Sequence, residues 1–450
     1  MSFPRYPTYK RSGVEWLGEV PEHWQEKPLK TITSINDEVL PESLSRDYEI
    51  EYVDIGSVSL ANGIEKTEAM LFGDAPSRAR RIPRDGDVLV STVRTYLKAI
   101  APVVNPPSNL VASTGFAVVR PRHELEPGFL KYALQEEHFI QQVISRSTGV
   151  SYPVINASDV AKISLNLPGS SEQLAIATFL NHETAKIDAL IAEQQRLIEL
   201  LQEKRQAVIS HAVTKGLNPD APMKDSRVEW LGEVPEHWEV TQLRHYSKSI
   251  PGFAFPSAQF VEDESQWKLL RGINVGVSCI RWDEVVYWER EDGDQLDQYV
   301  LAPGDLVVGL DRPLIKEGLR VARVRPADCP CLLLQRVAAV KGTTELATDY
   351  LYYLLSSPFF VAHFEPDTTG VSVPHISTGQ IDSFVIPKPP NHEQQQIVSH
   401  LSSEISKIIE LTLRSTESIS LLQERRSALI SAAVTGQIDV RGLVPEAEAV

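Results

Sequence analysis

The sequence predicts an α/β (α+β) chain written twice: two tandem mixed α/β domains, separated by two long antiparallel coiled-coil helices, with an internal pseudo-two-fold repeat. Three observations carry this reading. Val14-Glu-Trp-Leu-Gly-Glu-Val-Pro-Glu-His-Trp24 recurs unchanged as residues 228–238. Leu200-Leu-Gln-Glu-Lys-Arg-Gln-Ala-Val-Ile-Ser-His-Ala-Val-Thr214 matches residues 421–435 at eleven of fifteen positions. Between these shared stretches, turn signals alternate with short apolar runs. A period above 200 residues excludes short-period solenoids and propellers.

Each copy opens with its Trp-rich segment. In the first copy, residues 87–91, 116–119 and 163–167 read as strands, and a helix begins at 128–134. The counterparts in the second are strands at 305–308, 337–340 and 384–386 and a helix at 349–355. Pro168 and Pro387-Lys-Pro-Pro390 close the two domains. Beyond the prolines the apolar period becomes helical, with Ile187, Leu190, Leu197, Leu201 and Val208 in one copy and Ile408, Leu411, Leu422 and Leu429 in the other. Ser171-Glu172 and Asn391-His-Glu393 supply start signals, and Gly216 and Gly436 stand where the helices stop.

Each helix is expected to run about 42 residues, or about 63 Å. One apolar stripe of that length needs a partner, so the two repeats are expected to pair, and those nine residues are the candidates for the helix-pair or partner interface. Antiparallel pairing is the expected direction; a parallel pair would place both domains side by side. The alternative is a long core helix in each domain, and the polar Gln194, Ser415 and Ser418 on the seam keep it open. The expected boundaries are 1–167 for the first domain, 168–217 for its helix, 218–388 for the second domain, 389–438 for its helix, and 439–450 for a tail.

Charge narrows the function classes. The net charge is −16, and residues 218–388 alone carry 16 Lys and Arg against 25 Asp and Glu. Bulk charge therefore opposes nucleic-acid binding, which would need local basic patches or basic partners. The three cysteines, Cys279, Cys329 and Cys331, sit only in the second copy, and Cys-Pro-Cys has the wrong spacing for a zinc knuckle. Reduced thiols, a cytoplasmic location and no membrane span are expected.

Catalytic signals are missing. Asn105-Pro-Pro-Ser108 lacks the aromatic ring that an amino-methyltransferase motif carries, and no phosphate-binding Gly-x4-Gly-Lys loop occurs. No catalytic residue and no metal site are expected. His23 and His237 belong to the repeated opening, where packing is the natural role.

The repeated Trp-rich opening, the prolines before Glu172-Gln173 and Glu393-Gln394, and helices ending in Ala-Val-Thr resemble the specificity (S) subunits of bacterial type I restriction-modification enzymes, the HsdS family. The resemblance covers almost the whole chain. It implies two target recognition domains, each reading half of a split double-stranded DNA site, with the helices setting the spacing. It also implies docking of two methyltransferase (M) subunits and, with them, restriction (R) subunits. The chain itself would be noncatalytic and bind no cofactor; S-adenosylmethionine, ATP and Mg would sit on the partners.

Two islands shared inside the divergent domains supply candidate DNA contacts. The first is Gly-Asp-x6-Arg-x3-Lys, giving Arg94 and Lys98 in one copy and Arg312 and Lys316 in the other. The second gives Thr148, Ser151 and Tyr152 against Thr369, Ser372 and His375. Arg78, Arg80 and Arg81 form the densest basic cluster, Arg146 lies just before the second island, and Arg320, Arg323 and Arg325 are spaced to share one strand face. Against each stands a bland alternative, solvated loop cations or a fold-defining turn. Two rival readings of the chain are a protein-binding scaffold without DNA contact, favoured by the acidic charge, and a single-chain modification enzyme.

Overall fold

The computed structural model describes residues 3–12, 18–315, 318–368 and 374–443. It divides into two compact units: residues 1–195 with 416–450, and residues 196–415. Both boundaries fall inside long helices, Ser170–Lys215 of 46 residues and Asn391–Val434 of 44.

In the first unit Val88–Ser91 pairs with Phe116–Pro121 and Ile100–Pro102, and Phe116–Pro121 also pairs with Thr33–Ile35. A second four-stranded sheet holds Glu49–Val53 parallel to Leu110–Ser113, flanked by Glu68–Leu71 and Ala79–Arg81. Pro127–Ala133 and Glu137–Ser145 are helical, and their Phe129, Leu130 and Phe139 fill the core. The strands predicted at 87–91, 116–119 and 163–167 appear within one or two residues; the second sheet was not predicted. Its strands are short, and their apolar residues do not alternate over a long enough run to read as strands.

The second unit repeats the plan. Leu306–Gly309 pairs with Val337–Gly342 and Val321–Arg323, and Trp267–Leu270 runs parallel to Cys331–Leu333. The register is the same: Val88 opposite Val119 and Pro102 corresponds to Leu306 opposite Val340 and Arg323. The offset between copies thus grows from 218 to 221 within the hairpin after Arg94 and Arg312.

The Gly-Asp turns are structural. Asp87 is 1% exposed, accepts the Arg84 N–H at 2.7 Å and pairs with Arg120 at 2.8 Å. Asp305 does the same with the Ala302 N–H and with Lys341 at 2.7 Å. A buried carboxylate is tolerated only with such partners.

Each core draws on both long helices. In the first unit Ile176, Leu180 and Ile187 near the start of one helix share a cluster with Leu429, Ile430, Ala433 and Val434 near the end of the other. Arg426 reaches Asp188 across that pair at 2.9 Å. In the second unit Ile209, Ala212 and Val213 at the end of the first helix pack with Ile397, Leu401 and Ile405 at the start of the second. Start meets end in both units, so the helices run antiparallel. Ile187, Leu201, Ile408 and Leu429 are buried, and Val208 and Leu422 are partly buried against the two cores. Leu190, Leu197 and Leu411 are 52%, 40% and 48% exposed and face away from the cores.

The repeated His-Trp locks these ends. Trp24 donates its indole N–H to Glu172 at 3.0 Å, and His23 Nε2 lies 2.8 Å from the same carboxylate. Trp238 and His237 treat Glu393 identically, at 2.9 and 2.6 Å. The glycine ending the opposite helix lies against each ring: Gly436 (φ +74°) beside Trp24, Gly216 (φ +73°) beside Trp238. Left-handed backbone there suits glycine.

Candidate nucleic-acid interface

The two sequence islands meet in each unit. Arg94 donates its backbone N–H to the Pro153 carbonyl at 2.8 Å, and Arg312 donates to Pro374 at 2.7 Å. Two residues beyond each proline, the Ile155 N–H reaches the Thr92 carbonyl and the Ile376 N–H reaches the Leu310 carbonyl, both at 2.9 Å. Val93 bridges Val154 as Asp311 bridges His375. Both arginines have positive φ, 49° and 45°.

The surroundings differ. In the first unit the Arg94 guanidinium lies 5.0 Å over the Tyr152 ring, which is 63% exposed. Tyr96, Val150, Ser151 and Thr148 are also exposed nearby in sequence. In the second unit His375 Nδ1 lies 2.9 Å from Asp311, which also binds Arg336. These groups hold the Asp311 carboxyl below its usual range against the opposing effect of its burial.

A cleft of about 750 Å³ opens beside Arg312 in the second unit. Among the described residues Arg271, Arg281, Arg312, Arg320 and Arg336 line it, with Asp311 the single lining carboxylate. The sequence reading missed Arg271, Arg281 and Arg336. Strand register places Arg271 where the first unit has Asp54, since Val53 and Leu270 face Ala112 and Leu333. Arg336 stands where the first unit has Gly115: Leu310 bonds to Arg336 as Thr92 bonds to Gly115. Comparison of the copies at the corrected offset would have exposed the change at Arg336, whereas the change at Arg271 emerges only from the strand pairing.

Other predicted contacts are engaged elsewhere. Arg78 pairs with Asp54 at 2.9 Å and bonds the Tyr52 hydroxyl at 3.0 Å. Arg80 lies over Phe72 at 5.0 Å, and Arg81 is half-buried with its Nε unpartnered, so burial lowers its pKa. Lys98 pairs with Glu137 at 3.1 Å, and Arg146 bonds Gln142 at 3.2 Å.

The arginine stripe expected at 320, 323 and 325 does not form. Only Arg323 lies in the strand Val321–Arg323, and it pairs with Asp349 at 2.7 Å. Arg320 precedes the strand and bonds the Val275 and Asp311 carbonyls at 2.8 and 2.7 Å, lining the cleft. Arg325 follows it, in a turn, bound to Asp328. Positions 320 and 323 are also an odd number apart, so strand alternation puts them on opposite faces rather than one.

The Lys98–Lys316 match is corrected as well. Ser91 bonds to Ala99 as Gly309 bonds to Arg320, so Lys98 corresponds to Leu319. Lys316, Thr369 and Ser372 lie outside the described residues.

Among the described residues no group of three His, Cys, Asp or Glu is placed to hold a metal ion, and no helix is long and apolar enough to cross a membrane.

Comparison with known proteins places this geometry. Residues 21–201 and 288–421 match the family model for the type I restriction modification DNA specificity domain. The type I restriction enzyme MjaVIII specificity subunit of Methanocaldococcus jannaschii is 27% identical over 74% of this chain and 75% of its own length. The putative MjaX specificity subunit of the same organism is 24% identical over 98% of this chain and 99% of its own. A solved structure, described as concerning complex assembly and conformational transition of the type I R-M system, shares the fold with a TM-score of 0.66. It is 23% identical, covering 93% of this chain and 99% of that one. Two family-matched segments covering most of the chain, each on one copy of the repeat, show that this protein belongs to the type I restriction-modification specificity subunit family, whose role is DNA sequence recognition.

Proposed function

We propose that the chain is the noncatalytic recognition subunit of a type I restriction-modification complex and binds a bipartite, asymmetric double-stranded DNA site. Residues 14–167 and 228–388 each read one half-site, and the helices at 168–217 and 389–438 set the spacing. Two methyltransferase subunits, and restriction subunits with them, dock on the shared elements. S-adenosylmethionine, ATP and Mg bind those partners, and the complex methylates adenines in the cytoplasm.

The observation that carries this reading is the arginine-lined cleft of the second unit. A region with 16 basic against 25 acidic residues nonetheless gathers five arginines around one opening. Bulk acidity, the best support for a protein-binding scaffold, is thus answered locally, because phosphate and base contacts depend on nearby charge.

The test exchanges residues 239–386 for the equivalent domain of another specificity subunit and maps methylation by the reconstituted complex. One half of the methylated sequence is expected to change. A change in both halves, or in neither, would sink the proposal. Salt-insensitive binding of the complex to its duplex would favour the scaffold reading.

A further inference from the structure

Arg94 and Arg312 are equivalent residues in domains that otherwise diverge. Each is held in a left-handed backbone conformation that non-glycine residues seldom adopt, by the same N–H bond to a proline carbonyl. Each side chain is exposed, and among the described residues neither has a carboxylate partner. Arg78, Arg120, Arg323 and Arg336 are all ion-paired. Arg94 is steadied instead by the face of Tyr152, and Arg312 opens onto the cleft.

A phosphate contact tolerates any mobile cation near the backbone. A guanidinium fork that must meet two acceptors at once needs a fixed origin and direction. The costly backbone geometry, kept in both copies, supplies that origin. In the major groove the two acceptors arginine matches are O6 and N7 of guanine.

We propose, resting on the recognition function above, that Arg94 and Arg312 are the equivalent base-reading arginines of the two domains, and that each half-site contains a guanine contacted by one of them. The proline carbonyl within the second island, Pro153 in one unit and Pro374 in the other, fixes the arginine's backbone. The differing neighbours, Tyr152 in one unit and Asp311 with His375 and Arg336 in the other, tune which flanking bases are accepted.

The test uses the full chain in its complex with methyltransferase subunits and the duplex identified by mapping wild-type methylation. Binding is measured by competition against duplexes carrying each single base change, for wild type, R94A and R312A. Each variant is expected to bind the cognate duplex roughly 5- to 150-fold more weakly and to stop discriminating at one G·C pair. R94A should act in one half-site and R312A in the other. Replacing that guanine with 7-deazaguanine should weaken wild type similarly and leave the variant unaffected. R94K and R312K, which keep the charge but not the fork, should lose discrimination while retaining nonspecific binding, which separates lost contact from lost fold. Uniform weakening on every duplex, discrimination lost at an A·T pair, a half-site without guanine, or unchanged binding would each overturn the assignment. A wild-type complex that selects no sequence would overturn the recognition function itself and this assignment with it.

Discussion

The Trp24 indole donates to the Glu172 carboxylate at 3.0 Å, joining the repeated opening segment to the first turn of a long helix. Glu172 also stands where the positive end of the helix dipole favours a carboxylate. Its side chain is 8% exposed, whereas Glu393, held by Trp238, is 24% exposed. Removing a donor from a buried carboxylate costs about 1–3 kcal/mol, and less where water can replace it. Trp24→Phe is therefore expected to lower the thermal midpoint more than Trp238→Phe. Calorimetry of the two variants checks the order, and equal shifts would count against burial as its cause.

The glycines after the helices give a second ordered pair. Alanine at Gly216 has to adopt left-handed backbone, a cost of about 1–2 kcal/mol, and its Cβ would lie 3.1 Å from the Trp238 ring. At Gly436 the same Cβ would overlap the Pro21 ring. Gly436→Ala is expected to destabilise more than Gly216→Ala in urea titrations, and the reverse order would show that Pro21 yields freely.

Asp328 links stability to pH. Burial alone would raise its pKa, but Arg325, the Trp282 indole N–H and the Arg325 backbone N–H outweigh it and hold the carboxyl below its usual range. A depressed folded-state pKa gives stability that is complete above the unfolded value, near 3.9, and is lost as pH falls through the lower folded value. Asp328→Asn is expected to be less stable than wild type at pH 7, with the gap narrowing below about pH 4. A gap that stays constant from pH 7 to pH 3 would exclude the ionised carboxylate as its source.

Inserting one heptad into either long helix keeps the apolar seam in phase while lengthening that helix by about 10 Å. Under the proposed function the spacer between half-sites changes and both half-sites stay the same. Methylation mapping that returns the original spacer would remove the helices from the role of ruler.

Much of this protein is decided locally. The duplication, the α/β strands at 87–91 and 305–308, and the long helices follow from residue patterns read over a few turns, because helical and strand periodicity are properties of neighbouring residues. Even the His-Trp segment announced itself as shared frame by being identical in both copies.

The tertiary structure decided what touches what. Helix direction became fixed only when Trp24 met both Glu172, in the first turn of one long helix, and Gly436, just past the end of the other. The equivalence of Lys98 with Leu319 depends on strand register across a hairpin three residues longer in one copy, and the second sheets and the gathering of Arg271 and Arg336 beside Arg312 depend on pairing between strands far apart in sequence. Which arginines stay free of carboxylates depends on the same register. Residue type sets which contacts a side chain is able to make, and long-range backbone pairing sets which of them it makes.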